Sequence, residues 1–170
     1  MDQTIAGEWT LVPESPRDIE SLREQCRLLV RRKAAVAGGL AAIPIPGVDI
    51  LSDVSLFAKL VDEINRTFGL TEEQVARMEP SYRVIAEQAA IAAGGMMVGK
   101  SVTNRLVMAM FKRIGMRLAT KQVAKVVPFA GQLTAAAIGF TAFRKMGYQH
   151  VEACAKVARQ LLDARKAAPA

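Results

Sequence analysis

Apolar residues recur at spacings of three and four along most of this chain, and no stretch sustains the alternation of a strand. That period belongs to amphipathic helices and predicts an all-α fold. Ser15-Pro16-Arg17-Asp18 reads as a helix start: a capping serine, proline at the first helical position and an acid in the first turn. Ile19, Leu22, Cys26, Leu29, Val36 and Leu40 then follow at helical spacing. Arg23, Arg27 and Arg31 fall four apart with Glu20 and Glu24 within reach, which predicts a solvated, ion-paired face. Gly38-Gly39, set among alanines, predicts a close approach by another helix.

The next segment carries the clearest stripe, formed by Ile50, Val54, Phe57, Val61, Ile64 and Phe68 and closed by Gly69. Asp49 and Asp53 near its start read as caps favoured by the helix dipole rather than as metal ligands. Thr71-Glu72-Glu73-Gln74 predicts a capping box for a short helix reaching Met78, and Pro80 starts another over 82–93. Ser101 to Ile114 predicts an amphipathic helix with Val102, Leu106, Met110, Phe111 and Ile114 on its apolar side. A long final helix is predicted from near Gly131 to around Ala164.

Two apolar elbows interrupt this pattern. Ile43-Pro44-Ile45-Pro46-Gly47 and Val127-Pro128-Phe129-Ala130-Gly131 share a Pro-x-x-Gly spacing inside oily sequence. Each proline fixes its own φ and pushes its predecessor out of the α region, and glycine relaxes the turn. The expected architecture is a multi-helix bundle of two helical hairpins, with Pro44, Pro46, Gly47, Pro128 and Gly131 as the structural elbows. Residues 1–14 are expected to form a flexible arm, 15–166 a single helical domain and 167–170 a frayed tail. The longest uncharged stretch, 126–143, is eighteen residues long. Past its elbow it offers about 18 Å of helix against a hydrocarbon core of roughly 30 Å. A conventional spanning helix is therefore not expected, whereas a re-entrant or surface-lying hairpin is left open.

Charge changes the picture more than composition does. The net charge is +7, and between Glu87 and Glu152 there is no acid while nine bases occur. Seven of them, Lys100, Arg105, Lys112, Arg113, Arg117, Lys121 and Lys125, precede the second elbow; Arg144 and Lys145 follow it. The rest of the chain holds fourteen bases against sixteen acids. Such asymmetry points to an anionic partner. Met96, Met97, Met108, Met110 and Met116 crowd into the same region, where methionine serves either core filling or an adaptable surface. An oily and cationic surface suits an anionic membrane or an acidic protein better than nucleic acid, which calls for stacking aromatics that are scarce here. Two cysteines make a poor disulfide framework, and the first ten residues lack a secretory pattern, so a cytoplasmic protein is expected, with peripheral attachment at the inner membrane left open.

Two constellations carry candidate chemistry. Gly94-Gly95-Met96-Met97-Val98-Gly99-Lys100-Ser101 matches the phosphate-binding loop pattern, with Gly94, Gly99, Lys100 and Ser101 as its nucleotide-binding residues. That mechanism needs a strand before the loop, yet the preceding residues are helix formers. The competing reading is a close helix contact through Gly95 and Gly99. His150 and Cys154 lie one turn apart, and Cys26 could join them in a three-ligand metal site or a Cys–His pair. The chain has one histidine and no obvious orienting carboxylate, and a buried cysteine often serves simply as a small hydrophobe. The reading adopted is therefore no catalytic residue, no metal and no cofactor.

The elbows and their surroundings resemble a known group. Ala41-Ala42-Ile43-Pro44-Ile45-Pro46-Gly47-Val48-Asp49, then Leu60-Val61-Asp62-Glu63-Ile64 and Phe68-Gly69-Leu70, resemble the helical domain of immunity-related GTPases and the YcjF-like bacterial domain of unknown function. The segment from Lys125 through Gly131-Gln132 to Cys154 is similar to the same families, so the likeness covers roughly residues 30–160. The resemblance implies an all-helical module that docks on a GTPase domain, on itself as a homo-oligomer, or on a membrane. This chain shows no GTPase domain, so GTP hydrolysis is not implied. The expected function is a non-enzymatic interaction module contacting an anionic membrane or a protein partner through its basic, methionine-rich surface. The alternatives are nucleotide binding at Gly94–Ser101 and an oligomeric, membrane-inserting assembly.

Overall fold

The structure, a computed structural model, describes residues 13–41, 50–95, 97–103, 105–109 and 130–168. Among these residues it is all-helical: α1 (Pro16–Ala41), α2 (Ile50–Thr67), α3 (Glu72–Ala76), α4 (Pro80–Ala92) and α5 (Ala130–Ala167), with one helical turn at 105–109. The elbow residues Pro44, Pro46, Gly47 and Pro128 lie outside the described residues. Gly131 stands in the first turn of α5. The arm 1–12 and the Gly38-Gly39 side-chain environment are likewise outside them.

The local start and stop signals act as their chemistry requires. Ser15 Oγ accepts the Asp18 N–H at 3.2 Å, capping α1 ahead of Pro16. Thr71 and Gln74 form a reciprocal capping box on α3, at 3.2 and 3.0 Å. α2 ends in a Schellman turn. Gly69 has φ 71°, its N–H reaches the Arg66 carbonyl at 3.2 Å, and the Leu70 N–H reaches that of Asn65 at 2.8 Å.

α5 is the axis. At 38 residues it is about 57 Å long, and α1, α2 and α4 all pack against it. Along α1, Glu20 pairs with Arg159, Arg23 and Arg27 with Glu152, and Arg31 with Tyr148. Numbers rise on one helix as they fall on the other, so α1 and α5 are antiparallel. Midway, a Cβ on Gly147 would lie 2.7 Å from a methyl of Val30, so the two backbones meet where no side chain fits between them. α2 runs the opposite way to α1, with Lys33 facing Glu63 at 3.7 Å. It is parallel to α5: Phe57 meets Phe143 edge-to-face at 5.0 Å, and Asn65 meets His150. α4 lays Ala86, Ala89 and Ala90 inward, and the short side chains let it approach closely.

Three expectations need correction. The Arg23–Arg27–Arg31 rung makes the expected ion pairs with Glu20 and Glu24 and leaves Arg31 exposed, but it is also the seam between α1 and α5 rather than a purely solvated face. Arg23 grips the Glu152 carboxylate with its Nε at 2.8 and 3.0 Å, and Arg27 adds a third bond at 3.0 Å. Val36 is 53% exposed, because the buried stripe of α1 passes through Val30, Ala34 and Ala37 instead. The helix expected from Ser101 starts later: Thr103 caps it, accepting the Leu106 N–H on its Oγ1 at 3.3 Å, and Val107 is its buried residue. No helix among the described residues is long and apolar enough to cross a membrane.

Candidate functional site

α2 buries a stripe of Val54, Phe57, Val61, Ile64 and Phe68, and that stripe carries one amide, Asn65, with no exposed surface. An unpaired amide there would cost roughly 1–3 kcal/mol, and every neighbour serves to avoid this. The Asn65 Nδ2 group donates to the Met97 carbonyl at 2.9 Å. A carbonyl only accepts, so the orientation of the amide is determined and Oδ1 faces α5. There it meets His150 Nε2 at 2.9 Å and the Cys154 thiol at 3.5 Å. Oδ1 has two lone pairs and takes both donors. His150 is thereby held as the neutral Nε2–H tautomer. Burial pushes its pKa down to about 4.

Cysteine, histidine and asparagine together are the residue types of a thiol nucleophile with its base and orienter. The geometry is different. In such a relay the imidazole uses one nitrogen for the thiol and the other for the orienter. Here Asn65 and Cys154 both approach Nε2, the latter at 3.6 Å. Burial pushes the Cys154 thiol well above its ordinary range, with Cys26 adding to the effect. Cys26 is pushed up to about 11, first by burial, against a hydrogen bond from Thr67 and with Glu63 raising it further. Neither thiol carries the thiolate character that reactivity needs. The cluster ties α2, α5 and the loop after α4 together. Among the described residues, no group of three or more His, Cys, Asp or Glu side chains is placed to hold a metal ion.

This predicts acid sensitivity with a definite sign. The unfolded chain takes up a proton on His150 near pH 6.5, whereas the folded chain resists it until about 4. Stability is therefore full above the unfolded value and is lost as pH falls. Between pH 7.5 and 5 the expected loss is about 2 kcal/mol. Burial pushes the Glu152 carboxyl up, but Arg23 and then Arg27 outweigh it and hold it below its usual range. Its contribution is lost in the same direction, below the ordinary carboxylate pKa. Urea unfolding at several pH values checks this: His150→Asn should be less stable at pH 7.5 yet flatter from there to pH 5.

The Gly94–Ser101 loop is not built as a phosphate cradle. It follows a helix, and Gly94 (φ 67°) closes α4 in a second Schellman turn. The N–H groups of Gly94 and Gly95 reach the Ile91 and Ala90 carbonyls at 3.0 and 2.8 Å. Those of Val98 and Gly99 bond the carbonyls of Gly95 and Leu70. Four of the loop's amides, those of Gly94, Gly95, Val98 and Gly99, are thus already used by carbonyls rather than free for a phosphate. Gly95 packs against Ala153 of α5, and Gly99 (φ 68°) against Val75. The close-contact reading thus holds for Gly95, as a loop on a helix rather than helix on helix.

Of the proposed contact residues, Lys100 and Arg105 are exposed and carry no ion pair among the described residues, while Lys112, Arg113, Arg117, Lys121 and Lys125 lie outside them. Met97 is buried in the interior, and Met108 is partly buried and packed against the core. The structure adds bases that sequence reasoning had not grouped. Arg27, Arg144, Lys145 and Lys156 line one cleft of about 790 Å³ between α1, the end of α4 and α5. The i, i+4 row of Arg144, Tyr148, Glu152 and Lys156 on α5, with Lys145 beside it, was the available signal. It was hidden because Arg27 arrives from the far end of the sequence. No family model, curated protein or solved structure matches this chain.

Proposed function

We propose that this protein is a non-enzymatic helical interaction module that docks peripherally on an anionic surface, a membrane in the first place. The carrying observation is charge placement: nine bases and no acid from residue 88 to 151. Of these, Lys100, Arg105, Arg144 and Lys145 are exposed. Outside that stretch, Glu20, Glu63 and Glu152 are engaged in helix-to-helix pairs. Clustered bases near a negative surface contribute on the order of 1 kcal/mol each. The sealed state of the Cys154–His150–Asn65 cluster supports a binding role over a catalytic one. The likeness to the GTPase-associated helical domains fits a module that works beside a partner, including a GTPase-type protein or a second copy of itself.

Vesicle flotation tests the reading. The protein is expected to float with vesicles containing phosphatidylserine and to stay behind with phosphatidylcholine alone. Changing Lys112, Arg113, Arg117 and Lys121 to glutamate should reduce the bound fraction at least about tenfold. Equal binding to both vesicle types, or no effect of the four changes, removes the membrane reading and leaves an acidic protein face as the anionic partner.

A further inference from the structure

The cleft between α1, the end of α4 and α5 combines two characters. Its rim is cationic. Arg144, Lys145 and Lys156 come from α5, and none has an ion pair among the described residues. Arg27 joins them from α1. Among the described residues the one acid in the lining, Glu152, is paired with Arg23 and Arg27, which also face Glu20 and Glu24. Arg27 is held in place by a stack on the Tyr148 ring at 4.8 Å, and Arg144 lies over Phe140 at 5.2 Å. These two charges are pre-positioned rather than free to wander. His150, also in the lining, is neutral and turned to Asn65.

The floor is apolar: Ala93, Gly95, Met97, Met146 and Ala153. Gly95 lets the loop lie directly on α5, because a Cβ there would meet Val98 and Ala153. At about 790 Å³ the cleft falls in the size range of small-molecule sites, roughly 300–1,000 Å³. A highly charged soluble anion would leave the floor unused, and a neutral apolar molecule would leave the cations unpaired. We propose that the cleft binds a phosphate ester carried on an apolar body, the phosphate on Arg27, Arg144, Lys145 and Lys156 and the apolar part on Met97, Met146 and Ala153. Guanidinium groups suit such an anion because their planar donors match its oxygens. This deepens the reading of an anionic surface as partner, since the phosphate end of an anionic lipid has this chemistry, as does a soluble phosphate ester.

The test uses the full chain and dihexanoyl phosphatidate below its micelle concentration, followed by calorimetry and by amide NMR shifts at Gly94 and Gly95. Saturable one-to-one binding is expected. The exposed pair Lys145→Glu/Lys156→Glu should weaken it at least about tenfold, whereas Lys100→Glu/Arg105→Glu, outside the lining, should change it less than about twofold. Circular dichroism confirms that both pairs fold. Absence of saturable binding overturns the proposal, as does indifference to the Lys145/Lys156 pair. Equal affinity for inorganic phosphate or for dihexanoyl phosphatidylcholine also overturns it, because one cancels the apolar floor and the other the cationic rim. The two readings separate cleanly. Phosphatidate binding without vesicle flotation keeps the cleft, with a soluble ester as its ligand, and ends the membrane reading. Flotation without phosphatidate binding does the reverse.

Discussion

Replacing Asn65 with leucine is expected to destabilise the fold by about 4 kcal/mol, a large share of the 5–15 kcal/mol that holds a domain of this kind together. Leucine matches asparagine roughly in size, so the loss arises from hydrogen bonding. The change strands the His150 Nε2–H and the Met97 carbonyl, each formerly bonded at 2.9 Å, and leaves the Cys154 thiol without its acceptor. Each stranded buried group costs about 1–3 kcal/mol. The double change Asn65→Leu/His150→Leu removes donor and acceptor together. It should therefore cost less than the sum of the single changes by about 1–3 kcal/mol. Urea midpoints of the four proteins measure that coupling, and additive costs would show that the pair is not a bonded unit.

Gly147 is the second sensitive position, against ordinary helix logic. Alanine in a helix interior usually gains about 1 kcal/mol over glycine. Here the new Cβ would sit 2.7 and 3.0 Å from the two methyls of Val30 and 3.4 Å from its Cβ. A β-branched side chain cannot rotate both methyls away, so α1 and α5 must part. Gly147→Ala is expected to cost about 2 kcal/mol, and Gly147→Leu about 4 or more with loss of cooperative unfolding. Val30→Ala in the Gly147→Ala background should restore most of the loss, as read by thermal melting. A Gly147→Ala protein as stable as the parent would show that the helices do not cross at this point.

The contrast between these two positions shows what the sequence makes legible. Local chemistry is readable: the Ser15 cap, the Thr71–Gln74 box, Gly69 and the α2 stripe from Val54 to Phe68 all stand where their patterns place them. Each is decided by residues within a turn or two. What escapes is long-range. Glu20 and Glu24 suffice as local partners for Arg23 and Arg27, so nothing nearby points to Glu152, 129 residues beyond Arg23. Gly147 looks like any helical glycine until Val30 is known to face it. The Gly94–Ser101 pattern invites a phosphate by its letters, but the same glycines are what a Schellman turn and a second positive-φ corner require. Asn65 did leave a trace, an amide between Ile64 and Phe68 on an otherwise apolar face, and such a residue asks for a buried partner. His150 and Cys154 were visible as a pair one turn apart; that they share one acceptor on α2 was not. The bases of the cleft show the same division, with three on one face of α5 and the fourth supplied by α1.

The proposed function requires a buried cluster without chemistry beneath a cationic surface. The chain has one histidine, so its imidazole nitrogens give a single, self-assigned set of signals in ¹⁵N NMR. Following them from pH 8 to 4 tests that requirement directly. The account predicts a neutral ring with the hydrogen on Nε2 throughout, starting to protonate only towards pH 4 as the fold fails. A ring that titrates reversibly between pH 6 and 7 in the folded protein, or one that carries its hydrogen on Nδ1, would contradict it and return the Cys154–His150 pair to the list of reactive groups.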